Sequence, residues 1–461
     1  MNLTVTPGHA LHGQADLPGD KSLSHRAALL AGMAQGESVI HNFLVSGVTH
    51  AMLGALTALG VAWELEGTTL RVVSEGLSAW KSPSTPIDCG NSATTLRLLA
   101  GALAAAGIPA VLDGSQGLRS RPMGRIVEPL RSMGVVVESD PGGCAPIRLA
   151  GRPAGQPLRS IDYTLPVASA QVKSCLLLAA LAAVGETVLR EPGLSRDHTE
   201  RMLSGLGLRV EASLPSGNGA LSQVQAGYTT RLTSSGSLDL PPIDFYLPGD
   251  FSAAAFLIAG ALITPGSAIQ LRNVGINPTR TGLLEALGDM GAELHLANLS
   301  ERCGEPVGDL EISYSTLHAG RVGGGLVVRM IDEFPAFAAA AAFADGTTLV
   351  QDAVELRNKE SDRISALCAG LRHLGVQAQE AADGFTIRGG SAVIGGQSEA
   401  YGDHRLAMAL ALVGLASANP VTVSGCEIIR ESFPGFADTL AALGADCAIT
   451  GEPVGSGTHV L

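Results

Sequence analysis

The sequence predicts an α/β protein built from six copies of one unit, arranged as two related halves. Three observations predict it: the chain length, a helix-ending phrase that occurs six times, and a polar helix-starting cluster that also occurs six times. At 461 residues the chain exceeds the size at which one hydrophobic core usually keeps growing. Two domains are therefore expected.

The helix-ending phrase is Leu-x-x-(Leu/Met)-Gly-(Val/Leu/Ala). Glycine suits the left-handed conformation that ends many helices, and a strand-like run such as residues 376–378 usually follows it. The phrase therefore predicts six places where a helix stops and a strand begins. Its glycines are Gly60, Gly134, Gly207, Gly291, Gly375 and Gly444.

Six Ala- or Leu-rich helices are predicted to start just after a polar cluster. The clusters recur with the same period as the glycines, near 70–85 residues. One such cluster alone is most simply a helix cap, but six in phase indicate helix N-termini that suit an anion. The clusters are Lys21-Ser22, Asn91-Ser92, Ser169-Ala170-Gln171, Asp250-Phe251-Ser252, Asp332-Glu333 and Asp403-His404-Arg405.

A duplicated Leu-Pro-Gly-Asp phrase marks two crossings between the halves. It occurs at residues 17–20 and again at 247–250, and a lysine, Lys21, follows only the first copy. We therefore predict one domain over 21–246 and a second over 1–20 and 247–461, with hinges near 17–21 and 245–249. The single lysine is consistent with one site.

Composition excludes several classes of function. The net charge is −13 and aromatic residues make up 4 %, which argues against nucleic-acid and anionic-membrane partners. Seven scattered cysteines without a C-x-x-C pair indicate reduced thiols rather than disulfides or a metal site. There is no signal-peptide pattern, and no apolar run reaches the roughly 18 residues of a membrane span. We predict a cytoplasmic protein.

Taken together, the polar motifs resemble those of the enolpyruvyl transferases. The matching segments are residues 18–26, 90–97, 120–124, 168–174, 356–363, 401–405 and 432–436, and they occur in the family's order. Segments 168–174 and 356–363 favour the branch that acts on shikimate 3-phosphate. The resemblance implies an inside-out α/β barrel fold with three units per domain and helix N-termini facing the cleft between the domains.

The resemblance also implies a reaction. The enolpyruvyl group of phosphoenolpyruvate would be transferred to the 5-hydroxyl of shikimate 3-phosphate by addition and elimination, releasing phosphate, in the shikimate pathway toward chorismate and aromatic amino acids. The expected partners are these two small anionic substrates. No metal and no organic cofactor is expected, and the chain is expected to act as a monomer.

Site residues are carried over from the matching motifs. The catalytic groups would be Lys21, Asp332 and Glu360. The residues implied for shikimate 3-phosphate are Lys21, Ser22, Arg26, Ser169, Ala170, Gln171, Arg196, Asp332 and Lys359. Those implied for phosphoenolpyruvate are Lys21, Ala93, Arg121, Gln171, Arg363 and Arg405.

The implied roles agree with the chemistry of the side chains. Planar guanidinium groups such as that of Arg121 bind phosphates and carboxylates through paired hydrogen bonds. Asp332 would accept the 5-hydroxyl proton, and Glu360 would lie beside the methylene of phosphoenolpyruvate. A carboxylate among cations ionises readily, whereas acid duty needs a raised pKa, so which group donates the proton remains open.

Two departures from the family pattern concern expected contacts of phosphoenolpyruvate. Ala93 stands where much of the family has glycine, and its methyl would crowd the side toward which the longer inhibitor glyphosate extends. The hypothesis is that the chain resembles the glyphosate-tolerant (class II) branch. Glu431 stands where many members have a lysine, and whether Arg430 replaces that lysine is open.

Two alternative functions fit the sequence less well. The sister enzyme that uses UDP-N-acetylglucosamine usually has a cysteine in the loop equivalent to residues 113–118, and this loop has none. A non-catalytic paralogue that binds anionic metabolites would have no need of Lys21, Asp332 and Glu360, which are all present.

Overall fold

The computed structural model describes residues 1–153, 155–213, 228–236 and 239–452. Two compact units divide the chain. The N-terminal unit contains Gly19–Pro248 and Glu301–Glu305, and the C-terminal unit contains Met1–Pro18, Gly249–Ser300 and Pro306–Leu461. Each unit has its own hydrophobic core.

Fourteen α-helices occur in the described residues. They are α1 (Lys21–Met33), α2 (Gly47–Ala58), α3 (Ala93–Ala106), α4 (Gln116–Arg119), α5 (Gly124–Ser132), α6 (Ala170–Ala180), α7 (His198–Gly205), α8 (Phe251–Ile263), α9 (Gly282–Asp289), α10 (Gly325–Arg329), α11 (Phe334–Ala341), α12 (Arg363–His373), α13 (His404–Val413) and α14 (Phe436–Ala442). Three short 3-10 helices cover Leu77–Ala79, Val354–Asn358 and Cys426–Glu431.

Twenty-five strands occur in the same residues. Those of the first half of the chain are β1 (Asn2–Thr6), β2 (His12–Asp16), β3 (Gln35–His41), β4 (Ala62–Glu66), β5 (Thr69–Glu75), β6 (Ile87–Asp88), β7 (Ala110–Asp113), β8 (Val137–Glu138), β9 (Ile147–Leu149), β10 (Leu158–Arg159), β11 (Asp162–Thr164), β12 (Ala183–Glu191), β13 (Arg209–Ser213), β14 (Tyr228–Ser235) and β15 (Asp244–Tyr246). The remainder are β16 (Ala268–Gly275), β17 (Leu294–Arg302), β18 (Glu305–Ser313), β19 (Arg321–Val322), β20 (Thr347–Val350), β21 (Gln377–Ala381), β22 (Gly384–Arg388), β23 (Gly396–Glu399), β24 (Val421–Ser424) and β25 (Asp446–Thr450).

The strands form six small mixed sheets, three in each unit. The sheet ordered β19-β20-β22-β21 shows the common pattern: β19 runs parallel to β20, and β22 is antiparallel to both of its neighbours. A buried helix connects the two parallel strands, here α11 between β19 and β20. Parallel strands cannot be joined by a tight turn, so a connection of this kind usually contains a helix. The predicted six α/β units are confirmed.

Three sheets are completed by strands distant in the sequence. In the N-terminal unit β15 pairs in parallel with β3, and in the C-terminal unit β2 pairs in parallel with β16. Strand β1 lies between β24 and β25 and is antiparallel to both. Residues 1–18 therefore belong to the sheets of the C-terminal unit.

Local signals explain where the helices begin and end. Asp20, Ser92 and Asp403 each accept a hydrogen bond from a backbone N–H two or three residues further on, which satisfies a donor in the first helical turn. The glycines of the helix-ending phrase all have φ between +85° and +109°, from Gly207 to Gly444. This is the left-handed region that a side chain disfavours, so the predicted helix stops are confirmed.

In the repeated α/β units, the helix that follows the polar cluster is largely apolar and lies in the core. Every residue of α8 and of α11 is buried, and the corresponding helices of the N-terminal unit, α3 and α6, pack closely against each other. A helix that is hydrophobic on all faces is typical of such a position. Across the described ranges, no helix is both long enough and apolar enough to cross a membrane.

Candidate active site

In the N-terminal unit, the beginnings of α1, α3 and α6 lie together. Ser92, which caps α3, has its Oγ 3.3 Å from Nε2 of His25 on α1. Gln171 on α6 donates from Nε2 to Oγ1 of Thr94 on α3 at 2.8 Å. Three helix N-termini thus present their first-turn N–H groups in one region, which favours negative charge there.

Lys21 is the first residue of α1 and is partly buried. Its carbonyl oxygen lies 2.7 Å from Nδ1 of His25, and Nε2 of the same ring lies 3.1 Å from the carbonyl oxygen of Val48. Burial lowers the pKa of His25 to about 4, and the positive charges of Lys21 and Arg26 act in the same direction. At neutral pH the histidine is uncharged and serves to hold the first turn of α1.

Arg26 is buried, with 4 % of its surface exposed, and its guanidinium is bound by protein groups. It donates to the carbonyl of Ser22 at 3.0 Å, to Oγ1 of Thr199 at 2.8 Å and to Oγ of Ser174 at 2.8 Å. Burial lowers its pKa to about 10, and nearby Arg196 acts in the same direction. Arg26 and Arg196 therefore lie close enough to repel one another.

The side chain of Gln171 is oriented by Arg97, which lies in the matching segment 90–97 but is not among the predicted site residues. Arg97 donates to Oε1 of Gln171 at 2.5 Å and to the carbonyl of Pro122 at 3.0 Å. One guanidinium thus connects the start of α6 to the segment that follows Arg121. Sequence spacing alone did not reveal this, because Arg97 and Gln171 are 74 positions apart.

The other predicted residues of this unit occupy helix starts or loops. Ser169 caps α6 and Ala170 is its first residue, while Ala93 is the first residue of α3 and is buried. Arg121 follows the short helix α4, and Arg196 lies in the loop between β12 and α7; both are partly exposed.

In the C-terminal unit, Asp332 lies among three cations. Its Oδ1 is 3.2 Å from Nη1 of Arg363 and 3.8 Å from Nζ of Lys359. Its Oδ2 is 3.8 Å from Nη2 of Arg405, whose Nη1 also donates to the carbonyl oxygen of Asp332 at 3.2 Å. This arrangement stabilises a carboxylate and fixes its direction.

Arg363 connects the two predicted catalytic carboxylates. Only 1 % of it is exposed, and its Nη2 donates to Oε2 of Glu360 at 2.5 Å. Its Nε donates to Oδ2 of Asp403 at 2.7 Å. Burial alone would lower the pKa of Arg363, but the carboxylates of Asp403, Glu360 and Asp332 raise it above its ordinary value. The guanidinium stays charged.

The second Leu-Pro-Gly-Asp phrase precedes α8, and side chains of the protein itself form hydrogen bonds at the start of this helix. Asp250 accepts from the backbone N–H of Ser252 at 2.7 Å and from Nη2 of Arg280 at 3.1 Å. Ser252 donates in turn to the fully buried Glu333. Arg280 thus supplies a positive charge at this helix start from within the fold.

A buried cluster of charges in the N-terminal unit was not predicted. Lys173 lies 2.7 Å from both Glu191 and Glu200. Lys173 is one of only four lysines among 30 basic residues. This rarity was the feature of the sequence that could have drawn attention to the cluster. Among the described residues, no group of three or more His, Cys, Asp or Glu side chains could hold a metal ion.

Comparison with known structures first defines the class. The fold is that of an enolpyruvyl transferase: the enolpyruvyl transferase NikO from Streptomyces tendae superposes with a TM-score of 0.77 over 98 % of this chain and 99 % of that chain. At 19 % identity this likeness concerns the fold alone. The predicted fold class is confirmed.

The family follows from closer relatives. The profile of EPSP synthase (3-phosphoshikimate 1-carboxyvinyltransferase) matches residues 5–440. A 3-phosphoshikimate 1-carboxyvinyltransferase from Citrifermentans bemidjiense is 43 % identical over 95 % of this chain and 98 % of its own length. An EPSP synthase from Acinetobacter baumannii is 38 % identical, with a TM-score of 0.83 over 97 % of this chain and all of that chain. The chain belongs to the EPSP synthase family, whose activity is that of a shikimate-pathway transferase.

Proposed function

We propose that the chain transfers the enolpyruvyl group of phosphoenolpyruvate to the 5-hydroxyl of shikimate 3-phosphate by addition and elimination. The observation that carries the proposal is the position of Asp332, whose carboxylate lies within 4 Å of Lys359, Arg363 and Arg405. Such a group is suited to accept a proton while cations beside it bind anionic substrates.

The proposed reaction has two stages. In the addition, the 5-oxygen attacks C2 of phosphoenolpyruvate, its proton passes to Asp332, and the methylene carbon gains a proton. In the elimination, the bond from C2 to the phosphate oxygen breaks, the methyl carbon loses a proton, and phosphate leaves. Glu360, which shares Arg363 with Asp332, is proposed as the carboxylate beside that carbon.

Each of the two units is proposed to supply substrate ligands. In the N-terminal unit, helix N-termini and the cations Lys21, Arg121 and Arg196 are proposed to bind the substrates' phosphate and carboxylate groups. Gln171 and Ser169 would add polar contacts at the start of α6. In the C-terminal unit, Lys359 and Arg405 are proposed as further substrate ligands.

The test is a phosphate-release assay with phosphoenolpyruvate and shikimate 3-phosphate. The wild-type protein is expected to turn over this pair and not the pair of phosphoenolpyruvate with UDP-N-acetylglucosamine. Asp332→Asn is expected to lower kcat about a hundredfold or more, because it removes the proton acceptor. Asp289→Asn, an exposed carboxylate at the end of α9, is the matched control and should leave kcat unchanged. Full activity of Asp332→Asn would reject the role of this carboxylate.

We further propose that the enzyme is glyphosate-tolerant and belongs to the class II branch. The support is Ala93, the first residue of α3, whose methyl occupies a buried position at a helix N-terminus. Ala93→Gly should lower the glyphosate concentration that halves activity by at least about tenfold, since removing a methyl opens space for the longer inhibitor. Equal inhibition of wild type and variant would contradict the proposal.

A monomer in the cytoplasm is proposed as the working form. The seven cysteines are all free thiols, which agrees with a reducing compartment. Light scattering should give a mass near the 46.9 kDa of one chain, and a mass of twice that value would contradict the monomer.

A further inference from the structure

A buried ion triplet joins α6, β12 and α7 in the N-terminal unit. Nζ of Lys173 on α6 lies 2.7 Å from Oε1 of Glu191, the last residue of β12, and 2.7 Å from Oε1 of Glu200 on α7. All three side chains are at most 6 % exposed. Burial raises the pKa of Glu200, and Lys173 opposes that rise, so the ammonium favours the charged carboxylate.

The same triplet holds the loop between β12 and α7. Ser195 in that loop donates from Oγ to Oε2 of Glu191 at 2.5 Å, and its backbone N–H donates to Oε1 of Glu191 at 3.3 Å. Nζ of Lys173 also lies 3.5 Å from the carbonyl oxygen of Ser195. The residue that follows is Arg196. We call Lys173, Glu191, Ser195 and Glu200 the Lys173 cluster.

A second set of contacts connects Arg26 to the same elements. Ser174, next to Lys173, and Thr199, next to Glu200, lie 2.6 Å apart through their hydroxyl oxygens. Both accept hydrogen bonds from the guanidinium of Arg26. The cluster and this second set therefore bring α1, the start of α6 and the loop of Arg196 into one buried arrangement, and each of these elements carries proposed ligands of shikimate 3-phosphate.

We propose that the Lys173 cluster positions Arg196 relative to the N-terminus of α6 and thereby sets the affinity for the phosphate of shikimate 3-phosphate. The inference rests on the proposed function. A phosphate that binds both Arg196 and the N-terminus of α6 is held tightly only if these two donors keep a fixed separation. Buried ion pairs often contribute little net stability compared with apolar side chains of the same size. In this unit the inferred role of the pairs of Lys173 is to fix the geometry of the groups that they join. Lys173 is accordingly a positioning residue.

The mildest test is Ser195→Ala. This variant removes the hydroxyl hydrogen bond from Ser195 to Glu191 but leaves the backbone hydrogen bond of residue 195 and both ion pairs in place. The KM for shikimate 3-phosphate should rise about five- to tenfold, as expected for one hydrogen bond to a charged group. The KM for phosphoenolpyruvate and kcat should each change by less than about twofold, since the cluster acts on only one substrate's phosphate.

Thr230→Val is the matched control. Thr230 on β14 also donates to Oε1 of Glu200, at 3.4 Å, but unlike Ser195 it is not part of the loop that carries Arg196. Its KM for shikimate 3-phosphate should equal that of the wild type, whatever the effect on thermal stability. A loss of affinity in Thr230→Val equal to that in Ser195→Ala would assign both effects to general destabilisation and overturn the proposal.

Lys173→Met tests the centre of the cluster. It leaves two buried carboxylates without their cation, and a larger loss of affinity for shikimate 3-phosphate than in Ser195→Ala is expected. The double variant Lys173→Met with Glu200→Gln reduces the charge imbalance and should regain stability but not the affinity, because the cation that orients Glu191 is still missing. Calorimetric titration with shikimate 3-phosphate alone gives the affinity without turnover.

The outcomes separate the inference from the function on which it rests. A wild-type protein that fails to release phosphate from the two substrates would reject the proposed function. An active wild type together with an unchanged KM for shikimate 3-phosphate in Ser195→Ala would reject the positioning role alone. An equal rise in both KM values would also reject it.

Discussion

At the scale of single residues, Arg363 shows how one side chain organises the charges of the C-terminal unit. Its three nitrogens reach Asp332, Glu360 and Asp403, which lie 31, 3 and 40 positions away. Five N–H donors in one plane allow this, whereas an ammonium presents a single point charge. A lysine at position 363 would have to reach all three carboxylates from one nitrogen and could not reproduce the separate contacts of Nε, Nη1 and Nη2.

Lys21 provides the first residue-scale prediction. Lys21→Ala should keep the fold, because the side chain is only partly buried, but kcat/KM should fall about a thousandfold because the cation proposed to stabilise the developing charge is lost. Phosphate release and thermal unfolding are the measurements. Lys81→Ala, which removes an exposed lysine of the same unit, should behave as wild type. Near-normal activity of Lys21→Ala would contradict the assigned role.

His25 provides the second residue-scale prediction, which concerns the pH dependence of stability. Its pKa is lowered from 6.5 to about 4 by burial, so between these values the unfolded chain binds a proton that the folded chain does not. The free energy of unfolding should therefore fall as the pH decreases from about 6.5 to about 4, by about 3 kcal/mol from this group. Urea unfolding of His25→Asn at several pH values should show a correspondingly smaller slope. An unchanged slope would mean that His25 is protonated in the folded protein.

At the scale of elements, α3 and α6 approach each other through their backbones. A Cβ added at Gly101 on α3 would lie 2.2 Å from the carbonyl oxygen of Cys175 on α6. Only glycine permits this separation, which keeps the starts of both helices together and so brings Gln171 within reach of Thr94. The close approach therefore bears directly on the candidate site.

Gly101→Ala should destabilise the protein by about 3 kcal/mol or more, because the backbones must separate. Gly54→Ala is the matched control: Gly54 lies within α2, and a Cβ there meets no atom within 4 Å. It should be stabilising by about 0.5–1 kcal/mol, as expected for alanine in a helix. Urea unfolding measures both. Similar stability of the two variants would contradict the backbone contact.

At the scale of the whole molecule, some strands pair with strands that are far away in the sequence. Strand β1 is hydrogen-bonded on both sides, by β24 and by β25, although more than 400 residues separate them. Its inward-facing residues, Leu3 and Val5, are fully buried. These two side chains are thus part of the interior of the C-terminal unit.

Removal of residues 1–6 should therefore abolish cooperative folding of the C-terminal unit, since a central strand and two buried side chains are lost together. Circular dichroism during heating is the measurement. Thr4→Ala, which changes one partly exposed side chain of the same strand, should melt cooperatively. A wild-type melting curve for the truncated chain would show that β1 is dispensable.

The sequence by itself determined the repeated architecture and placed several of the proposed site residues at helix starts. Helix caps such as Asp20 and helix-stop glycines such as Gly207 depend on residues within a few positions, so their signals are local and recur six times. The polar clusters at helix starts likewise contain Lys21, Asp332 and Arg405, whose roles in the site are proposed, and such positions carry donors for anions.

Only the tertiary structure decided which side chains touch. The contacts of Arg363 with Asp403, of Arg97 with Gln171 and of Lys173 with Glu200 join residues 27 to 74 positions apart. Partners at such distances depend on how helices pack, and packing is set by the summed contacts of the core rather than by any local pattern. For the same reason no sequence motif indicated that β1 would lie between β24 and β25.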